Sequence, residues 1–157
     1  MQKKQRLSPQ EAWVKIQKYC AYQERCHREV KEKLYSYSLS VDDVDDLTNR
    51  LIQENYLNEE RFAKAYAGGK FRVKKWGRLK IIRELKLRDI SPYCIKEGMK
   101  EIEDVVYYEQ LKTILYKRWE NLKTESNILM RKKKTSSYLI AKGYEPDLVW
   151  DILKELS

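Results

Sequence analysis

Leu111, Ile114, Leu115 and Trp119 recur three or four positions apart, the spacing of one face of a helix. Ile81, Ile82 and Leu85 repeat it, with Arg78 and Lys86 falling outside the apolar face. No stretch sustains the alternation of a sheet. Val105-Val106-Tyr107-Tyr108 is strand-like by composition, but the residues that follow restore the helical period, so it reads as helix. Helix starts are explicit. Ser8-Pro9-Gln10-Glu11 offers a cap, a proline at the first helical position and a glutamate three residues past the cap. Ser40-Val41-Asp42-Asp43, Asn58-Glu59-Glu60 and Ser91-Pro92 are further caps. The pattern predicts an all-α chain.

The elements repeat. "VKEKLYSYSLSVDDVDDL" from Val30, "IIRELKLRDISPYCIKEGM" from Ile81 and "SSYLIAKGYEPDLVWDIL" from Ser136 align on Leu34, Leu85 and Leu139. Five residues on stand Leu39, Ile90 and Tyr144; seven on, Val41, Pro92 and Pro146; ten on, Val44, Ile95 and Val149. The spacings of 51 and 54 residues are those of a tandem repeat. Each copy reads as helix, tight connection with an apolar plug, and capped helix. A longer helix precedes each pair, over 9–22, 59–73 and 103–122. The expectation is three tandem three-helix repeats, 9–56, 57–102 and 103–157, forming an elongated, curved array. Units this small stabilise one another through their neighbours. The competing reading is one irregular helical domain with accidental spacing.

Composition supports helices: 42% of residues are hydrophobic, and only three prolines and five glycines interrupt the chain. Charge adds a partner. The net is +9, and it is segregated. Residues 62–100 carry twelve basic and three acidic groups, whereas 38–61 carry two and seven. A polyanionic partner is favoured. Cys20, Cys26 and Cys94 are odd in number and scattered, unlike a disulfide framework, and no apolar run suits a membrane span or a signal peptide. A cytoplasmic protein is expected.

Catalytic chemistry finds no foothold. His27 is the sole histidine, and Cys20, Cys26 and His27 lack zinc spacing. Asp42, Asp43, Asp45 and Asp46 suit the first turns of a helix, and no calcium loop surrounds them. Gly68-Gly69 lacks a nucleotide-binding spacing. No cofactor and no metal are expected. The candidates are cations: Lys70, Arg72, Lys74, Lys75, Arg78, Lys80 and Arg83, and a second run, Arg131-Lys132-Lys133-Lys134, at the matching place in the third repeat. Lys31 and Lys33 give a thinner version in the first. Trp76 can stack on a base or plug a helix junction, the second being favoured. A binder of nucleic acid or of a complex containing it leads. A helix-turn-helix regulator would want base-reading residues, and an enzyme would want a polar cleft.

"LNEERFAKAY" from Leu57 and "KKWGRLKIIREL" from Lys74 resemble the RecX family of recombination regulators. The first matches its leucine, acidic or amide residues and Arg-Phe-Ala at Leu57, Asn58, Glu59, Glu60, Arg61, Phe62 and Ala63. The second matches a glycine opening a basic helix that ends in Glu-Leu, at Gly77, Arg78, Ile82, Glu84 and Leu85. Lys142-Gly143-Tyr144 resembles its lysine-glycine turn. The resemblance spans about residues 10 to 156. It implies tandem three-helix repeats and a non-enzymatic monomer. The implied partner is the RecA recombinase filament on single-stranded DNA, whose ATP hydrolysis and strand exchange it lowers. Family members also bind DNA. Two departures stand out: Gly68 falls where many members carry arginine, and Leu39 with its neighbours replaces the lysine-glycine turn in the first repeat. Phe62 is expected in the core. Arg61 is expected either to pair with an acidic neighbour within a helix or to touch a partner.

Overall fold

The computed structural model describes residues 6–157, and among these it is entirely helical. The helices are α1 (Pro9–Tyr22), α2 (His27–Tyr35), α3 (Val41–Gln53), α4 (Glu59–Arg72), α5 (Arg78–Leu87), α6 (Pro92–Met99), α7 (Asp104–Asn121), α8 (Ile128–Ala141) and α9 (Pro146–Leu153). The caps act as their sequences require. Ser8 Oγ accepts from Glu11 N–H while Glu11 accepts from Ser8 N–H, both at 3.2 Å. Ser40, Asn58 and Ser91 accept from Asp43, Arg61 and Cys94 N–H. Asn127 accepts from both Leu129 and Met130 N–H. Each such cap contributes about 1 kcal/mol. Asp42 and Asp43 sit in the first turn of α3, where the helix dipole favours them. Val105–Tyr108 lies within α7.

The repeat register holds in space. Leu34, Leu85 and Leu139 are fully buried, each near the end of the second helix of its group. Four residues on, Ser38 (φ 62°), Asp89 (φ 59°) and Gly143 (φ 101°) all adopt the left-handed conformation. Seven residues on, Val41, Pro92 and Pro146 each open the third helix. Val44, Ile95 and Val149 are buried. The first unit thus keeps the turn without its lysine-glycine sequence, by placing Ser38 in the left-handed region. Its plug differs: Tyr37 is buried and Leu39 only half-buried, whereas Ile90 and Tyr144 are both buried.

Two cores run through the array. Ala12, Ile16, Val30, Leu34, Val44, Leu47 and Leu51 form one within α1–α3. Phe62, Ile81, Leu85, Ile95, Tyr107, Leu111, Leu115, Leu139 and Val149 belong to a second, shared by α4–α9. Leu57, expected to open the central repeat, packs into the first core, because the chain turns back after α3 and Leu57 N–H reaches Leu51 O at 3.2 Å. Cys26, on the threshold of α2, joins the second. The accessible surface is 10097 Å². A compact chain of this mass exposes roughly 8400 Å², and the excess accords with an extended stack. No described helix is long and apolar enough to cross a membrane.

Candidate functional site

The two joints between units are built differently, and that decides where the cations point. At the second joint the Lys142-Gly143 turn sits on the start of α5. Gly77 N–H donates to Lys142 O at 2.8 Å, and Leu79 N–H to Gly143 O at 2.9 Å. These are orphan donors of a helix that has no side-chain cap, so the neighbouring turn completes it. The approach requires glycine on both sides. A Cβ on Gly77 would lie 2.3 Å from Gly143 C, and one on Gly143 would lie 2.4 Å from Lys80 Cβ. Both glycines of the family-like motifs thus serve one contact.

Arg78 closes the same joint. Its guanidinium pairs with Asp104 at 2.5 Å and Glu145 at 3.2 Å, and lies 3.9 Å from the Tyr107 ring centroid. The expectation that Arg78 stays outside is corrected: the start of α5 is covered by α7 and the α8–α9 turn. Tyr107 Oη accepts from Arg78 N–H and donates to Glu145. Burial, then the hydrogen bond to Glu145, pushes the Tyr107 phenol well above its ordinary range. Phe71, Tyr107 and Tyr144 stack in series, with centroids 5.9 and 5.3 Å apart. Tyr144 Oη donates to Lys75 O at 3.0 Å, which holds Lys75 in its left-handed conformation (φ 60°).

At the first joint Arg61 is the staple. It reaches Glu24 at 2.6 Å, Asn55 Oδ1 at 3.1 Å, and the carbonyls of Asn55 and Tyr56 just past α3. The role is structural, but the acidic partner sits between α1 and α2 rather than within the helix of Arg61, as a within-helix pair would require. Phe62 is core. Arg28 donates to Leu87 O. The position matching Gly77 is Cys26, eight residues before the buried leucine in each unit. Its side chain stands where glycine lets the other turn approach. Among the described residues no backbone bonds join Cys26 to the 88–89 turn, and a cavity of about 270 Å³ lies between Cys26, Glu29 and Arg88.

The remaining cations divide. Lys74, Lys75 and Arg83 are exposed. Lys70 and Lys80 flank the Trp76 ring at 5.1 and 4.4 Å. Trp76 packs half-buried against the second core, the junction plug that sequence favoured. Arg72 folds its guanidinium over buried Gly68, so α4 runs unbroken and this turn still carries a guanidinium. In α8, Arg131 turns back to donate twice to Trp119 O, at 3.1 and 2.7 Å, and covers the Trp119 ring. Lys134 pairs with Glu125 at 2.9 Å, while Lys132 is half-buried and Lys133 exposed. The structure brings Lys75 of the first run and Lys133 and Lys134 of the second to neighbouring cavities that share Arg118 and Tyr138. Sequence reasoning missed the residues between them, Lys117, Arg118, Tyr138 and Lys142, which line cavities between α7 and α8. They are single cations of ordinary helices, and only the tertiary pairing gathers them.

Comparison with known proteins agrees with this architecture. Residues 58–99, which contain α4–α6, match the family model for the second three-helix domain of RecX. Regulatory protein RecX from Bacillus thuringiensis strain Al Hakam is 24% identical over 147 residues, 94% of this chain. The same protein name and figures apply in Bacillus cereus strain AH187. The chain spans about half of these relatives, 54% of their length. The crystal structure of RecX from Lactobacillus salivarius superposes with a TM-score of 0.82 at 22% identity, covering 94% of this chain and 96% of that one. A second crystal structure, of a regulatory protein RecX, gives 0.82 at 18% identity, covering 94% and 73%. A sequence match at the central unit and a shared fold along nearly the whole chain make this protein similar to RecX proteins.

Proposed function

We propose that this chain is a non-enzymatic, monomeric cytoplasmic regulator that binds a RecA recombinase filament on single-stranded DNA and lowers its ATP hydrolysis and strand exchange. Similarity to RecX proteins carries the reading, and the physical form supports it. An extended stack of small units can touch several subunits of a filament, so weak contacts multiply. Its net charge of +9 steers it toward a polyanion-containing groove. Exposed Arg72, Lys74, Lys75, Arg83, Lys133 and Lys134 are the contact residues of this reading, with half-buried Lys70, Lys80 and Lys132 beside them. Arg78 and Arg131 contribute by holding the third unit in place.

The test is ATP hydrolysis by preformed RecA filaments on single-stranded DNA, with this protein titrated in at two salt concentrations. Hydrolysis falls at protein levels well below those that saturate free DNA, and less steeply at higher salt. Unchanged hydrolysis with a protein whose circular dichroism is helical overturns the reading. A general DNA-binding role would then replace it.

A further inference from the structure

We propose that the α7–α8 groove is a binding track for a single nucleic-acid strand, with Tyr138 as its stacking platform. This deepens the proposed function by locating a strand contact on the third unit. Two cavities, about 320 and 480 Å³, open along the groove and share Arg118 and Tyr138. Lys75, Lys117 and Lys142 line the first; Lys133 and Lys134 line the second. No carboxylate lines either. Among the described residues, Glu125 on Lys134 is the one acidic partner of these cations.

Arg118 lies at the centre. Its guanidinium carbon is 4.8 Å from the Tyr138 centroid, and Lys142 Nζ approaches the same ring at 5.6 Å. No carboxylate pairs with Arg118 among the described residues, and its Nε is buried without an acceptor. An arginine held against a ring has its forked donors pre-set for an acceptor from outside. Tyr138 keeps 40% of its surface exposed, with Ile114 and Met130 on the flanking walls. Cations beside an open aromatic face suit phosphates and stacked bases together. An acidic peptide would use the charge and leave the ring idle. From Lys134 to Lys142 the track follows α8 for about 12 Å, enough for a short run of nucleotides. Lys75 continues it toward the exposed Lys74, so the track leads out of the third unit into the central one.

The probe is a fluorescently labelled oligothymidylate alone, without RecA, read by anisotropy over a salt series. Replacing Lys117→Gln together with Lys142→Gln weakens binding about tenfold and shallows the slope of log K against log salt by about 1.4, the value for two lost contacts to a single strand. Tyr138→Leu weakens binding about tenfold with the slope unchanged. Lys96→Gln with Lys100→Gln, on exposed residues of the central unit, leaves the slope as it was. Thermal melts confirm that each variant is folded. Groove variants binding within twofold of the parent protein overturn the proposal, as does a parent protein that prefers polyglutamate to the oligonucleotide. The two readings fail separately: groove-dependent binding without any effect on filament hydrolysis sinks the regulator, and inhibition with groove-independent binding sinks the track.

Discussion

Replacing Gly77→Ala tests the glycine-on-glycine joint. Gly77 has φ −79° and ψ 167°, which alanine adopts freely, so the backbone itself gives no penalty. The cost comes from the added methyl. It would sit 2.3 Å from Gly143 C and from Tyr144 N, and 2.4 Å from Gly143 O. All three are backbone atoms, so no rotamer change relieves the overlap. The turn must lift, breaking the bonds at 2.8 and 2.9 Å and loosening buried Tyr144. Two lost backbone bonds with their partners left half-satisfied, plus overpacking, amount to about 3–5 kcal/mol. Gly69→Ala is the matched control. It lies in α4 with nothing within 4 Å of its Cβ, so the same substitution stabilises by about 1 kcal/mol through helix propensity. Urea unfolding followed by circular dichroism reads both. With a slope of about 2 kcal/mol per M, Gly77→Ala lowers the midpoint by about 2 M and Gly69→Ala raises it slightly. A Gly77→Ala midpoint equal to that of the parent protein refutes the joint as described.

Two further predictions follow from the charged and buried groups. Arg61→Lys keeps the charge but loses the fork that reaches Glu24 and the carbonyls past α3; with Arg61 partly exposed, stability falls by about 1–2 kcal/mol, seen as a melting temperature lower by about 3–6 °C. Burial raises the thiols of Cys20 and Cys26 from 9.0 to about 11, and the Tyr107 phenol further. The folded state therefore holds protons that the unfolded state releases. Stability from these groups is complete below about pH 9 and declines as pH rises, by about 1.4 kcal/mol per pH unit for each thiol up to 11. A urea midpoint that stays flat from about pH 8 to 11 contradicts this.

Local chemistry was readable in the sequence wherever neighbours along the chain make it. Ser8, Ser40, Asn58 and Ser91 cap their helices because the donors they satisfy lie three residues on. The repeat register was readable because each buried leucine is followed by the same turn. Ser38 shows the limit: a left-handed residue without glycine leaves little trace in composition. Arg78 looked exposed because its partners Asp104 and Glu145 are 26 and 67 residues away. The α7–α8 groove was invisible for the same reason, since Lys75, Arg118 and Lys142 meet only when α7, the end of α8 and the connection after α4 pack together.

Unequal joints give the array a mechanical character. The last six helices share one core and a backbone-to-backbone lock, so they turn as a single lever. The first three carry their own core and meet that lever through Arg61, Arg28 and Cys26, beside a cavity. Bending there disturbs few buried contacts, whereas bending at Gly77 opens a core. A wholly stiff ruler fits a helical track at one pitch alone. On the filament proposed above, a lever with a compliant arm would stay seated while the track lengthens or shortens, because the arm takes up the mismatch.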